Sequence, residues 1–252
     1  FLDLRMNDYL PQFREDNNEE YDVIMELMKL LNSIGDNFNI INSQNDVFLL
    51  SSIIELKRLF QSAVLLFERG IPLSANIIIR SILELSLNIV ETIRNEEYIQ
   101  DILCDELKKA NSTVNFAKEI ERFDLISPEI TEGIQQFEDL LEKAKRKNIT
   151  VKNLALKNGF GVEYLLYRTY CCNSHISASV LADNFTISPT KIAFEEGIQL
   201  DNFKSDISVL LSIVIISLPA IIEEYFNNET LKKQFDLFVE KFETVFNKYL
   251  LD

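Results

Sequence analysis

The chain of 252 residues has no tryptophan, one histidine, three cysteines, six glycines and five prolines. So few helix breakers over this length point to a helical protein. With His175 as the sole histidine, a histidine-based metal cluster is excluded. No carboxylate motif calls for a metal, and no cofactor is expected. Cys104, Cys171 and Cys172 are odd in number and lack C-x-x-C spacing. They read as reduced thiols of a cytoplasmic protein, not as a disulfide framework or a zinc site. The absence of a Gly-rich phosphate loop, a G-x-S-x-G elbow and an H-E-x-x-H pair excludes nucleotide triphosphatase, α/β-hydrolase and zinc-protease chemistry. Positive charge is scarce too: 25 Lys+Arg against 40 Asp+Glu give a net charge of −15. That argues against broad electrostatic binding to nucleic acid or anionic membranes, and leaves room for a local basic face.

What is present is globular: 47% hydrophobic, 26% charged, with 18 Phe and 8 Tyr. There is no repeat, low-complexity tract or linker, so residues 1–252 read as one domain, large enough to bury a proper core. The expected fold is all-α, a bundle of seven to nine helices. Residues 1–17 form a peripheral N-terminal segment, whose Asp3, Arg5 and Asp8 argue against a signal peptide. Core helices are expected at about 46–69, 73–95, 161–183 and 201–226. The first of them should end at Gly70 with Pro72 just beyond, and Ser74 should cap the second. Residues 96–125 read as one or two helices interrupted near Asn111-Ser112. Ser127-Pro128-Glu129 starts another helix that runs to about Asn148. Thr150 caps a short helix ending at Gly159, a hairpin or ordered loop lies near 184–200, and a last helix spans 229–250. The 16 uncharged residues from Ile207 to Ile222 are shorter than the roughly 20 a membrane span needs. They read as a buried core helix, with no membrane as partner.

Two stretches carry chemistry. In 161–183, Val162, Leu165, Leu166, Thr169, Cys172, Ile176 and Val180 form one apolar stripe, expected to face the core. Arg168 and His175, seven apart, nearly eclipse on the same helix, roughly 10.5 Å apart along its axis. Histidine suits proton transfer near neutral pH, and arginine suits a phosphoryl anion. The plain alternatives are a hydrogen-bonded packing histidine and a surface ion pair. Tyr164, Tyr167 and Tyr170 fill the groove beside them and are substrate-binding candidates. In the helix at 73–95, Arg80 and Glu84 share a face that Asn88 and Glu91 continue. This is either a solvated stripe, its ion pair worth under about 1 kcal/mol, or a seam against the His175 helix. In the second case Glu84 would orient His175 or Tyr167, and Arg80 would balance the acid. From Lys143 to Val162 there is no acid, and Lys145, Arg146, Lys147 and Lys152 head a basic segment (143–157) where an RNA backbone could dock.

Arg168 and His175, with a spacer of six, resemble the R-x(4–6)-H signature of HEPN domains. That resemblance implies an all-helical fold and a metal-independent ribonuclease of the kind found in bacterial toxin–antitoxin and phage-defence systems. It implies a composite site at a homodimer interface, with Arg168 and His175 catalytic and an antitoxin or effector protein as a further partner. On the helix-face reading above, Glu84 and Arg80 would orient these groups. The stretches 66–89 and 164–181 also resemble a bacterial family of unknown function, with Arg80 and Glu84 on one helix and Tyr167, Tyr170, Ser174 and His175 on another. That resemblance implies a helical fold with a polar centre. The alternative expectation is a non-catalytic helical module that binds a protein or small ligand.

Overall fold

The computed structural model describes residues 5–38, 41–122, 150–174, 185–188, 191–194 and 202–250, with a few positions between 124 and 132. Helix α1 (Arg5–Asp16) leads through Asn17 into α2 (Asn18–Asp36). Residues 1–17, expected as a peripheral segment, include a helix with one buried face. Phe13 of α1 is buried edge-on against Phe203, their rings 4.8 Å apart, so this helix belongs to the core. Its charges hid an amphipathic face.

Helix α3 (Gln44–Glu68) starts earlier than expected because Ser43 and Asp46 form a capping box. Ser43 Oγ accepts from the Asp46 amide at 3.1 Å, and Asp46 Oδ2 accepts from the Ser43 amide at 2.9 Å. Gly70, at φ +65°, turns the chain. Helix α4 (Pro72–Arg94) then begins with proline in its first turn, where a missing N–H costs nothing, so Pro72 and not Ser74 sets its start. Helix α5 (Tyr98–Glu119) runs unbroken through Asn111-Ser112, against the expected interruption. The helix expected after Ser127 falls mostly outside the described residues.

Helix α6 (Val151–Asn158) has the expected ends. Thr150 Oγ1 accepts from the Asn153 amide at 3.1 Å, and Gly159 takes φ +83°. Helix α7 (Gly161–Ser174) follows, then a hairpin of β1 (Phe185–Ser188) and β2 (Lys191–Phe194), antiparallel with Phe185 opposite Phe194. The fourth core helix is split. It comprises α8 (Phe203–Ile215), a break, and a π-helical segment at Ala220–Tyr225. Pro219 removes a donor at the break, and Asn227, at φ +48°, ends the segment. Helix α9 (Glu229–Leu250) closes the described chain. The fold is all-α apart from the hairpin.

The core lies between α2, α3, α4, α8 and α9, where Leu27, Leu56, Phe60, Ile82, Leu210 and Phe246 are fully enclosed. Helices α4 and Phe203–Tyr225 are long and apolar enough to cross a membrane, yet both pack into this core. Within Ile207–Ile222, the residues Ile207, Leu210, Leu211, Val214, Ile221 and Ile222 are buried, the interior role expected of the run.

Two carboxylates inside the core are paired, whereas the buried hydroxyls of Ser86 and Ser208 have no hydrogen-bond partner among the described residues. Glu68, 1% exposed, receives a forked contact from Arg14 (2.7–3.2 Å) and the Tyr21 hydroxyl at 2.7 Å. Buried Glu20 pairs with Lys204 at 2.8 Å, joining α2 to α8.

Arg14 is half exposed but Glu68 is buried, so removing the arginine leaves the carboxylate without its cation. Arg14→Ala should therefore lower unfolding free energy by about 3 kcal/mol in urea titration, with Arg14→Met/Glu68→Leu recovering most of it. Wild-type stability in Arg14→Ala would show that Tyr21 alone satisfies Glu68. A second test concerns Asp206 in the first turn of α8. Burial pushes its carboxyl up to about 6. The raised value means ionisation opposes folding, fully above pH 6 and not at all below about 4, the ordinary aspartate value. Asp206→Asn should gain on the order of 2 kcal/mol at pH 7.5, with the gain closing as pH falls to 4.

Candidate functional site

Helix α4 presents Arg80, Glu84, Asn88 and Glu91 along one side, at the spacing that keeps residues on a common face. Its other side is Ile- and Leu-rich and fixed in the core. The polar side is not a solvated stripe. Helices α5, α6 and α7 all pack against α4, and each brings a partner for one member of the row.

At the α7 end, the Tyr167 hydroxyl donates to Glu84 Oε1 at 2.7 Å, and Arg80 Nε donates to the same oxygen at 3.3 Å. The Arg80 guanidinium lies over the Tyr167 ring, 5.5 Å from its centroid, where the ring's negative face attracts a cation. Tyr164 stacks on Tyr167 with centroids 5.9 Å apart. In the middle, buried Tyr98 of α5 donates to Asn88 Oδ1 at 2.6 Å. At the far end, Glu91, 1% exposed, accepts from Lys157 of α6, from Asn158 at 2.9 Å and from Asn95 at 3.1 Å. Burial pushes its carboxyl up, but these donors outweigh it and hold the group below the usual glutamate range. Arg94 continues the network, making a two-pronged contact with Glu224 (2.6–3.2 Å) and donating to Asn158 at 3.2 Å.

The sequence candidates fall into three groups. Arg80, Glu84, Tyr164 and Tyr167 come together, and Glu84 meets Tyr167, one of its two expected partners. Arg168 and Lys152 are exposed, and no ion pair or hydrogen bond engages Arg168 among the described residues. His175, Lys145, Arg146 and Lys147 lie outside the described residues, and so does the Tyr170 side chain. Lys157, the last cation of the 143–157 segment, neutralises Glu91 and is not available to a phosphate backbone.

The expected orientation of α7 is corrected. Val162 and Leu165 are 70% and 66% exposed and Thr169 is exposed, so this part of the apolar stripe faces solvent. Tyr164 and Tyr167 pack towards the core instead. The physical reason is the carboxylate on α4: a tyrosine brings an apolar ring and a donor for Glu84, which valine and leucine cannot.

The sequence reading missed Glu68, Tyr98, Asn158 and Glu224. Glu68 had a signal: an acid in the last turn of an apolar helix opposes the helix dipole unless a cation meets it. Among the described residues, no three His, Cys, Asp or Glu side chains come together as a metal site.

The model of a family of unknown function, DUF5677, matches residues 46–191, more than half of the chain. The chain belongs to that family. No curated protein and no solved structure matches it. The DUF5677 stretch contains the whole polar row of α4 and every helix docked on it, α5 to α7. It also opens at Asp46, whose carboxylate caps α3 and is held below the usual range by the Tyr225 hydroxyl, 2.5 Å away. Tyr225 and Glu224 come from the π-helical segment beyond the DUF5677 match.

The Glu84–Tyr167 contact can be measured by a double-mutant cycle. Tyr167→Phe and Glu84→Gln should each destabilise the protein by about 1–2 kcal/mol, as expected for a hydrogen bond to a half-exposed charge. Their coupling in urea denaturation should be about 1 kcal/mol. Additive effects would show that Tyr167 docks by its ring alone.

Proposed function

We propose that this protein is a HEPN-like, metal-independent ribonuclease, or a degenerate relative of one, that works as a homodimer through α7. The observation that carries the reading is the rotation of this helix. With Tyr167 tied to Glu84, the next residue, Arg168, turns outward beside the exposed pair Val162 and Leu165. An unengaged arginine bordering an apolar surface suits a site completed by a second copy. In the sequence His175 follows Arg168 at a spacing of seven.

In this mechanism a ribose 2′-oxygen attacks the adjacent phosphorus as His175 takes its proton. Arg168 stabilises the charge on the pentacoordinate phosphorane. The bond to the 5′-oxygen breaks, that oxygen receives a proton, and the products are a 2′,3′-cyclic phosphate and a 5′-hydroxyl. Arg80 and Glu84 act at one remove, holding Tyr167 and hence α7. Lys145, Arg146, Lys147 and Lys152 would steer the RNA. Such systems work in bacterial defence with an antitoxin or effector partner. The same apolar pair on α7 supports a second reading, a non-catalytic module that receives a partner protein at this face beside Tyr164 and Tyr167.

The two readings separate in one experiment. Wild type, His175→Ala and Arg168→Ala are incubated with labelled single-stranded RNA in EDTA. Cleavage to 2′,3′-cyclic phosphate ends is expected from wild type, falling by about 10²–10⁴-fold in His175→Ala. Undiminished cleavage in His175→Ala, or none by dimeric wild type, overturns the nuclease in favour of the interaction module.

A further inference from the structure

A second feature of the polar row lies away from α7. Between α4, α5 and α6 is a cleft of about 280 Å³, near the low end of the roughly 300–1,000 Å³ typical of small-molecule sites. Its wall is apolar where Leu87, Ile102 and Leu154 meet. Its polar groups are Glu84 and Asn88 from α4, and Asp105, Glu106, Lys109 and the Tyr98 hydroxyl, which is spent on Asn88, from α5. Lys109 is bound on its own helix by Asp105 at 3.1 Å and Glu106 at 2.7 Å.

Glu84 differs from Glu68, although both carboxylates meet an arginine that also lies over the ring of a tyrosine. Glu68 uses both oxygens, Oε1 for Arg14 and Oε2 for Arg14 and Tyr21, and is sealed. Glu84 receives Arg80 and Tyr167 on Oε1 alone. Its Oε2 takes no hydrogen bond from any described residue, and the carboxylate is 37% exposed, lining the cleft. The cleft therefore offers an open carboxylate oxygen beside an apolar wall.

We propose that this cleft binds a small aliphatic amine. An ammonium brings donors and no acceptor, matching Glu84 Oε2 and the α5 carboxylates. Its alkyl body covers Leu87, Ile102 and Leu154. Three acids outnumber the two cations beside them, and both cations are already engaged, Lys109 by Asp105 and Glu106 and Arg80 by Glu84, which disfavours an anion. A divalent metal is disfavoured because no three carboxylates gather as a ligand set among the described residues. A neutral ligand would cover the Glu84 carboxylate without a donor, which is unfavourable. The site uses neither Arg168 nor His175; it shares Glu84 with the nuclease reading, where that carboxylate positions α7, but amine binding is read without RNA cleavage and stands or falls separately.

The test is titration calorimetry in 150 mM salt with n-pentylamine and 1,5-diaminopentane as probes and 1-pentanol as the neutral control. At least one amine should bind saturably at one per chain, and the alcohol should not. Glu84→Gln should weaken binding at least tenfold, and Val151→Trp, which fills the cleft, should abolish it. Glu240→Gln, removing an exposed acid on α9, should leave affinity unchanged, separating the site from diffuse attraction to a chain of net charge −15. If Glu84→Gln fails to fold, Val151→Trp alone decides. No saturable binding of either amine by wild type overturns the proposal. Unchanged affinity in a folded Glu84→Gln or Val151→Trp also overturns it.

Discussion

A row of polar side chains on an otherwise apolar helix imposes a constraint that its neighbours must satisfy. Helix α4 is held in the core by Ile79, Ile82, Leu83 and Ile89, so its rotation is fixed before its polar side is considered. Glu91 cannot reach bulk water from there, and Glu84 and Asn88 reach it only in part. Each buried polar group left unpaired would cost about 1–3 kcal/mol, more for a carboxylate. Helices α5, α6 and α7 are amphipathic in the ordinary sense and could pack on α4 at several rotations. The donors they carry, Tyr98, Lys157 with Asn158, and Tyr167, select one. Packing supplies the adhesion here, and hydrogen bonding supplies the register.

The two Arg–Glu–Tyr groupings show how one arrangement serves two ends. Around Glu68 the carboxylate is enclosed and both oxygens are occupied, so the group joins α1 and α2 to α3 and offers nothing outward. Around Glu84 the same residue types sit at the edge of a cleft, with one oxygen shared by two donors and the other open. A fully satisfied network is a structural tie. A partly satisfied one beside an apolar wall has capacity for a further donor.

The helices and several caps were legible in the sequence because their signals are local. Thr150 with Gly159 bounded α6, and the spacing of Arg80, Glu84, Asn88 and Glu91 placed them on one face. What failed depended on tertiary partners. On α7 two rows compete at helical spacing, Val162–Leu165–Thr169 and Tyr164–Tyr167, and hydrophobicity favours the first. The second wins because a carboxylate 83 residues earlier needs a hydroxyl. The N-terminal helix was hidden by its charges, one of which, Arg14, completes a buried pair with a residue on another helix. The run 201–226 was expected as one helix; the break before Pro219 and the wide π turn were not read from it. The π turn directs successive side chains to separate helices, Glu224 to Arg94 and Tyr225 to Asp46.

The DUF5677 match and the physical core do not coincide, and the mismatch bears on where function resides. Residues 46–191 contain the polar row, the cleft and the outward face of α7. They do not contain what closes the core: α3 and α4 bury their apolar sides against α8, and α2 and α9 complete the packing. The matched stretch is also tied from outside at two points, Asp46 by Tyr225 and the end of α4 by Glu224. Segments that close a core need only be apolar and of suitable length, and many sequences meet that requirement. A polar row with its docked helices demands particular residue types at particular places. The polar row and the helices docked on it therefore lie within the matched stretch, and the surrounding helices hold α4 in its rotation.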